Sequence, residues 1–405
     1  MVHRIPKITY CRALEYLFLY VTLAYWLIEA TNIVVIRGIQ STILSILLYR
    51  RQKKLPKNNL YLTSLILGSA LLTIMLKSSY FKIDISMFSA VFVSVLLMSA
   101  IGWNEFCIVF LNFMYFISCF SLCTFVLYLI IPSVFFALPI VHATAETANV
   151  FFSLVPLYMN DYYRNFGCFT EPGVFQIYLN LALLIGLFIN KITVKKTAIF
   201  CITIITTFST AGYFSLFTII AAYFFNKTDS KADRKLKKYI ASISVFGVLL
   251  IAYLFVKGYL DNYLYVFTKL SELAKEGSTA NVRFKAFTLG LARFKDNLIL
   301  GCGWGEWIEL YLLGNNLTCT QINYFAIYGL FVGGIFNLAY VYWAQSLCKL
   351  RIAKAFLVLA VEMLLFSQDL VGNEVWTLIM FCSYERMIFH TQRIQRASAV
   401  KLENC

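Results

Sequence analysis

Charged side chains are scarce in this chain. They make up 14% of its 405 residues, against a hydrophobic share of 60%, whereas a soluble globular domain carries roughly 25%. Apolar stretches long enough to cross about 30 Å of hydrocarbon recur from end to end, so there is no room for a separate soluble domain. Histidine is almost missing: His3, His142 and His390 are the three present, too dispersed for a histidine-based metal site. The eleven cysteines include no C-x-x-C pair and no metal-ligand spacing. Cys107, Cys119, Cys123 and Cys201 fall inside apolar runs, where a free thiol acts as a small hydrophobe. Cys168, Cys302 and Cys319 fall in expected outer loops, and their spacing leaves open whether two of them pair. Walker, G-x-S-x-G and H-E-x-x-H motifs are absent. So is a D-x-D pair, which argues against a cytosolic nucleotide-sugar donor. No internal repeat is found, and the main central basic loop follows the eighth span rather than the sixth. Both facts argue against the two related halves of many transporters.

What is present is positive charge: 35 Lys and Arg against 20 Asp and Glu, a net +15. It does not form the continuous basic face with interleaved aromatics that binds nucleic acid. It sits in short clusters between apolar runs, as in cytoplasmic loops under the positive-inside rule. Spans are expected at 13–30, 33–49, 60–76, 84–102, 106–131, 173–190, 197–209, 211–226, 239–257, 322–347, 355–371 and 375–390. The basic clusters (Arg4 to Arg12, Arg50 to Lys57, Lys191 to Lys196, Lys227 to Lys238, Lys349 to Lys354 and the C-terminal tail) then share one side. Both termini are expected to be cytoplasmic, with the first apolar run an uncleaved span rather than a signal peptide. The fold class is an all-α polytopic membrane protein of about 12 transmembrane helices, one integral membrane domain over 1–405.

Segment 197–226 has basic residues at both ends, so a short helical hairpin turning at Ser209-Thr210-Ala211-Gly212 is expected. Half-length helices are tolerated where the broken backbone is buried or lines a cavity. The alternative is one long tilted helix that breaks the basic rule once. Two outer loops are long, 132–172 and 258–321, and rich in Tyr, Phe, Trp and Leu. Loops beyond about fifteen residues are functional or disordered as a rule, and this composition is not that of disorder.

Three groups of residues are candidates for chemistry. In Phe169-Thr170-Glu171-Pro172-Gly173-Val174-Phe175, Thr170 or Glu171 suits a helix cap and Pro172 its first turn. Glu171 is either a helix start and nothing more, or a carboxylate able to orient or deprotonate a hydroxyl. In Gly277 to Trp307, Phe284, Phe287, Leu291 and Phe294 share a stripe at helical spacing. Arg283 borders that stripe, Lys285 and Arg293 point away, and Asp296-Asn297 ends the helix before a loop holding Gly301, Gly303 and Gly305. A helix over 280–296, flat on the outer leaflet and covering a cavity, fits this pattern. Its signature would be lipid exposure with a period near 3.6; the competing reading is an Ω-like loop packed for its own sake. Guanidinium binds phosphate oxygens bidentately without a metal, which singles out Arg283; the bland reading of Lys285 and Lys295 is a solvated charge. Lastly, Glu29, Arg37, Glu362, Asp369 and Glu374 lie in or beside spans, where ionisable groups are functional candidates. Glu29 with Arg37 also reads as a simple pair at a hairpin tip, and the rest as interfacial charges.

These features in their order resemble the bacterial O-antigen polymerase (Wzy) family, relatives of the O-antigen ligases. The resemblance rests on Phe169 to Phe175 opening a span, Phe208 to Tyr213 (F-S-T-A-G-Y) at the short hairpin, and Arg283 to Gly305 in the long loop. Asn323-Tyr324, with Tyr328-Gly329-Leu330 in the next span, completes it. It covers roughly residues 160–340. Ligases carry a histidine shortly before the Asn-Tyr pair; here Thr318 to Asn323 has none, which favours polymerase. The resemblance implies a GT-C-like helical glycosyltransferase bundle in the bacterial inner membrane, with inverting chemistry, no metal and no cofactor. The donor would be a growing glycan on undecaprenyl pyrophosphate, and the acceptor a single lipid-linked unit. A chain-length regulator and a flippase are the expected partners besides membrane lipids. Arg283 and Glu171 would be catalytic, with Arg164, Arg293, Lys285, Asn323 and Tyr324 binding substrate. The competing classes are a lipid-linked oligosaccharide flippase and a ligase.

Overall fold

The computed structural model describes residues 7–25, 27, 33–55, 57–77, 79–142, 145–157, 163–190, 192–226, 234, 237, 279–314 and 317–387. The expected span 239–257, the part of the second long loop before Thr279, and Glu29 lie outside the described residues. The chain is mostly helical. Its helices are α1 (Lys7–Leu23), α2 (Ile33–Arg51), α3 (Lys57–Leu76), α4 (Phe81–Ala100), α5 (Trp103–Ile130), α6 (Pro172–Phe188), α7 (Val194–Thr206) and α8 (Thr210–Phe225). They continue with α9 (Thr279–Asp296), α10 (Gly303–Leu312), α11 (Thr320–Ser346), α12 (Arg351–Phe366) and α13 (374–387). By length and composition, α3, α5 and α11 can each cross a membrane, while α6, α8 and residues 84–100 are shorter apolar helices.

Helix α6 is apolar apart from Gln176, Tyr178 and Asn180, and it is buried along almost its whole length, from Pro172 to Leu187. A helix without a polar stripe has to be surrounded by others, and α5, α7 and α8 pack around it. Segment 197–226 is a hairpin. Phe208 takes a left-handed φ of 47° between α7 and α8, and the Tyr213 hydroxyl donates back to the Ile205 carbonyl at 2.7 Å. Gly212 rests on Gln176 near the start of α6, and Tyr223 meets Phe188 at its end. Helix α8 therefore runs alongside α6, and α7 runs against both.

One end of the bundle is held by charge. Arg51 bonds Glu105 at 2.8 Å and also Glu15, and Arg12 reaches Glu15 at 3.0 Å. At the other end a buried ion pair, Arg37–Glu374, joins α2 to α13. Gln40 donates to Glu374 at 2.8 Å and Arg37 to the Gly372 carbonyl at 3.2 Å. Arg37 thus pairs with Glu374, 337 positions away; the expected pairing with Glu29 lies outside the described residues.

Among its described residues the first long loop forms no α-helix. It holds a 3₁₀ turn (Pro132–Ala137) and a three-stranded antiparallel sheet of β1 (Ile140–His142), β2 (Glu146–Asn149) and β3 (Leu154–Pro156). Val141 faces Thr147, and Ala148 faces Val155. A small core of its own, built on Tyr128, Phe135, Ala148, Val155 and Leu157, seats it on the end of α5. The strands are an addition to the expected helical class; at three or four residues each, with β2 the polar Glu146–Asn149, they are too short to show a period in the sequence.

Among its described residues the second long loop makes two helices where one was expected: the Gly-rich stretch starts α10 at Gly303. Helix α11 is kinked at Gly329 (φ 73°, ψ −169°). Residues 298–302 fit into that kink. Leu330 N donates to Leu298 O at 2.8 Å, and Cys302 N to Ala326 O at 2.8 Å. Gly301 and Gly329 meet backbone to backbone, so a Cβ on either would collide with main chain. Gly329→Ala should cost on the order of 2–4 kcal/mol, from overpacking and from the positive φ together. Thermal unfolding in detergent would read it, and an unchanged Tm would show that the kink is not needed.

Candidate functional site

The helix expected over 280–296 forms as α9, but it packs differently from its apolar stripe. Ala286 and Gly290 are buried, and Gly290 sits directly on Ile322 of α11. Small residues let two helix backbones approach closely, and the larger rings take the flanks. Phe287 reaches Phe366 of α12, Phe294 reaches Phe325 of α11, and Phe284 is 63% exposed. Arg283 lies three residues before Ala286, on the buried side.

That position brings Arg283 within electrostatic range of Glu171, Arg164 and Cys319. Burial lowers the Arg283 pKa, Glu171 pushes it back up, and Arg164 lowers it further; a guanidinium stays charged throughout. Each partner is fixed by local structure. Glu171 is the N-cap of α6: its carbonyl accepts from Val174 and Phe175 at 3.1 Å each, while its side chain does not cap. The carboxylate instead accepts from the Gln368 amide. Arg164 donates from Nε to the Thr207 carbonyl at 3.0 Å and from Nη2 to Phe208 at 3.4 Å, at the tip of the α7–α8 hairpin. Asn165 beside it bonds Thr206 and Ser121.

The turn between α12 and α13, residues 367–373, is the common contact. Thr320, at the start of α11, donates from its hydroxyl to the Gln368 carbonyl at 2.7 Å and accepts from Leu370 N at 2.9 Å. Gly372 N donates to the Tyr324 hydroxyl, and the Asn373 amide to the Tyr178 hydroxyl at 2.7 Å. The same turn holds Asp369, exposed at its surface yet with protein close on its other sides.

Of the expected site residues, Arg283, Glu171 and Arg164 come together. Asn323 and Tyr324 are buried in α11; Asn323 donates to the Leu317 carbonyl at 2.7 Å, so both pin the backbone around the site. Arg293 is ten residues from Arg283, about 15 Å along a helix, and pairs with Glu306 of α10 at 2.7 Å. Lys285 is exposed. The sequence reading missed Gln368 altogether, since a lone amide in a turn carries no signal. Cys168, Cys302 and Cys319 are free thiols. Burial pushes all three up to about 12, so none is a nucleophile at neutral pH. Among the described residues no cluster of three or more His, Cys, Asp or Glu is placed to hold a metal ion. Two concavities lie apart from Arg283 and Arg164. One of about 510 Å³ is lined by Arg351, Lys354 and Glu362, and one of about 470 Å³ by Tyr16, Tyr20, Phe113 and Phe116.

The class these features define is a mostly helical membrane protein, with two arginines and a carboxylate gathered at one end of its bundle. Comparison with protein-family models, curated proteins and solved structures finds no match.

Proposed function

We propose that the chain is an O-antigen-type polysaccharide polymerase. It joins oligosaccharide repeat units carried on undecaprenyl pyrophosphate, at the outer face of a bacterial inner membrane. In this reading the spans number about twelve, both termini are cytoplasmic, and the Arg283 end of the bundle faces outward. The observation that carries it is the convergence of Arg283, Arg164 and Glu171 at the end opposite the Arg12–Arg51 cluster. A pyrophosphate leaving group develops negative charge on its oxygens as the glycosidic bond breaks, and fixed positive groups aimed there lower the barrier. Two guanidiniums held by backbone carbonyls and a carboxylate are such groups. Helix α9, with Phe284 outward and Arg283 inward, suits a cover that meets lipid on one side and phosphate on the other.

The product left in cells lacking the gene tests this. Loss of a polymerase leaves a single repeat unit on the lipid core. Long chains remaining on undecaprenyl pyrophosphate would identify a ligase instead, and single units facing the cytoplasm a flippase.

A further inference from the structure

Resting on the polymerase reading, we infer that Asp369 is the group that takes the proton from the acceptor hydroxyl, while Gln368 holds Glu171 as the partner of Arg283.

The 367–373 turn carries both residues, and its backbone is fixed at both sides of Asp369. Thr320 grips the Gln368 carbonyl through its hydroxyl and its N–H, at 2.7 and 3.1 Å, and takes the Leu370 N–H at 2.9 Å. Ser367 and Leu370 are buried, Gln368 is half-buried, and Asp369 alone of the four is exposed. Gln368 bonds Glu171, whose charge in turn acts on Arg283. Asp369 is therefore the next residue along from the arginine site, on a backbone that cannot easily shift. Cys319 links the two places, since it is felt electrostatically at Arg283 and itself feels Asp369.

Glu171 is less suited to take a proton, because its negative charge is coupled to the Arg283 guanidinium, whereas among the described residues no cation is in the set of groups acting on Asp369. The groups facing Asp369 leave its carboxylate available. Its own turn supplies the Val371 N–H to Oδ1 at 3.2 Å. Asn323 of α11 hydrogen-bonds it in addition, and its charge is felt at Tyr324 and Tyr328 of α11 and at Cys319 before it. Although one face of Asp369 is open to solvent, the density of protein around the rest of it disfavours the charged form and raises its pKa to about 6, against the two hydrogen bonds, which lower it. A base in that range is ionised at neutral pH and stronger than an ordinary carboxylate.

The step balances as a displacement. The acceptor O–H bond breaks and its proton goes to an Asp369 oxygen. The freed oxygen pair forms the bond to the donor's anomeric carbon from the face opposite the leaving group. The carbon–oxygen bond to the pyrophosphate breaks, and that electron pair leaves on the pyrophosphate beside Arg283. Asp369 then returns its proton to water.

The experiment is polymerisation of lipid-linked repeat units by purified full-length protein in vesicles, across pH 5 to 8. If the wild-type protein makes no polymer, the polymerase reading itself fails. With wild-type polymer formed, the rate should rise with pH through a midpoint near 6. Asp369→Asn should lower kcat by about 10²–10⁴-fold and abolish that rise, with the acceptor KM within about threefold. Asp369→Glu should recover part of kcat and keep the rise. Asp369→Ala should regain rate on addition of formate, which a merely structural role would not produce. Full kcat in Asp369→Asn, or an unchanged pH profile in it, overturns the inference.

Discussion

Arg283→Ala is expected to reduce glycan ladders to single repeat units in a strain lacking the chromosomal gene, at normal protein level. The purified variant should lose about 10²–10³-fold in rate, the usual cost of removing one donor aimed at developing charge. The expectation follows from where the side chain sits. Arg283 lies on the buried side of α9, its charge balanced by Glu171, so no solvent ion replaces it easily. Arg283→Lys should recover little, because an ammonium cannot grip two phosphate oxygens in one plane. Lys285→Ala on the exposed face of the same helix serves as the control and should leave the ladder intact. Full-length ladders from Arg283→Ala would remove it from the site.

The second large effect is on stability. Glu374→Leu should cost about 3–5 kcal/mol, because it leaves the buried Arg37 guanidinium without its counter-charge. Arg37 is 8% exposed and Glu374 5%, so water cannot take the missing partner's place. The double variant Arg37→Met with Glu374→Leu should recover most of the loss, since two well-packed apolar side chains remove the charge and its desolvation cost together. Thermal unfolding of the three variants in detergent measures this. Equal losses in the single and double variants would mean that Arg37 acts through the Gly372 carbonyl and not through the ion pair.

The helical part of the molecule was legible in the sequence because each run of apolar residues is punctuated by its own turn chemistry. The Pro172 start of α6 and the Ser209 break before α8 are local signals, and both helices begin there. The 280–296 helix was legible from its period, but not which of its faces would be buried. Phe284 had the best apolar credentials and is exposed, while Ala286 and Gly290 took the contact. What decides that is the shape of α11, which no property of residues 280–296 encodes. Helix α10 was hidden by its glycines, which read as loop, although two of them stand in its first turn. The Arg37–Glu374 pair joins distant parts of the chain, which no local pattern reports. Glu171 and Arg283 were legible as separate candidates, and their meeting depends on the 367–373 turn, whose Gln368 has nothing distinctive around it in sequence.

The interlock at Gly301 and Gly329 has a mechanical consequence. Besides the two backbone bonds to α11, Thr73 donates to Leu300 O and Lys77 to the Asn297 side chain, at 2.8 Å each. The Asp296 end of α9 is thus clamped by α3 and α11 together and serves as a fulcrum. If α9 tilts to admit a substrate, its Thr279 end must travel. Arg283 is thirteen residues from the fulcrum, about 20 Å at helical rise, so a tilt of roughly 10° carries its backbone about 3–4 Å and changes its distance from Glu171. Arg293, close to the pivot, would keep its grip on Glu306 through the same stroke. One helix would then hold a stationary arginine and a swinging one, and only the swinging one would be set down on the phosphate when the lever closes.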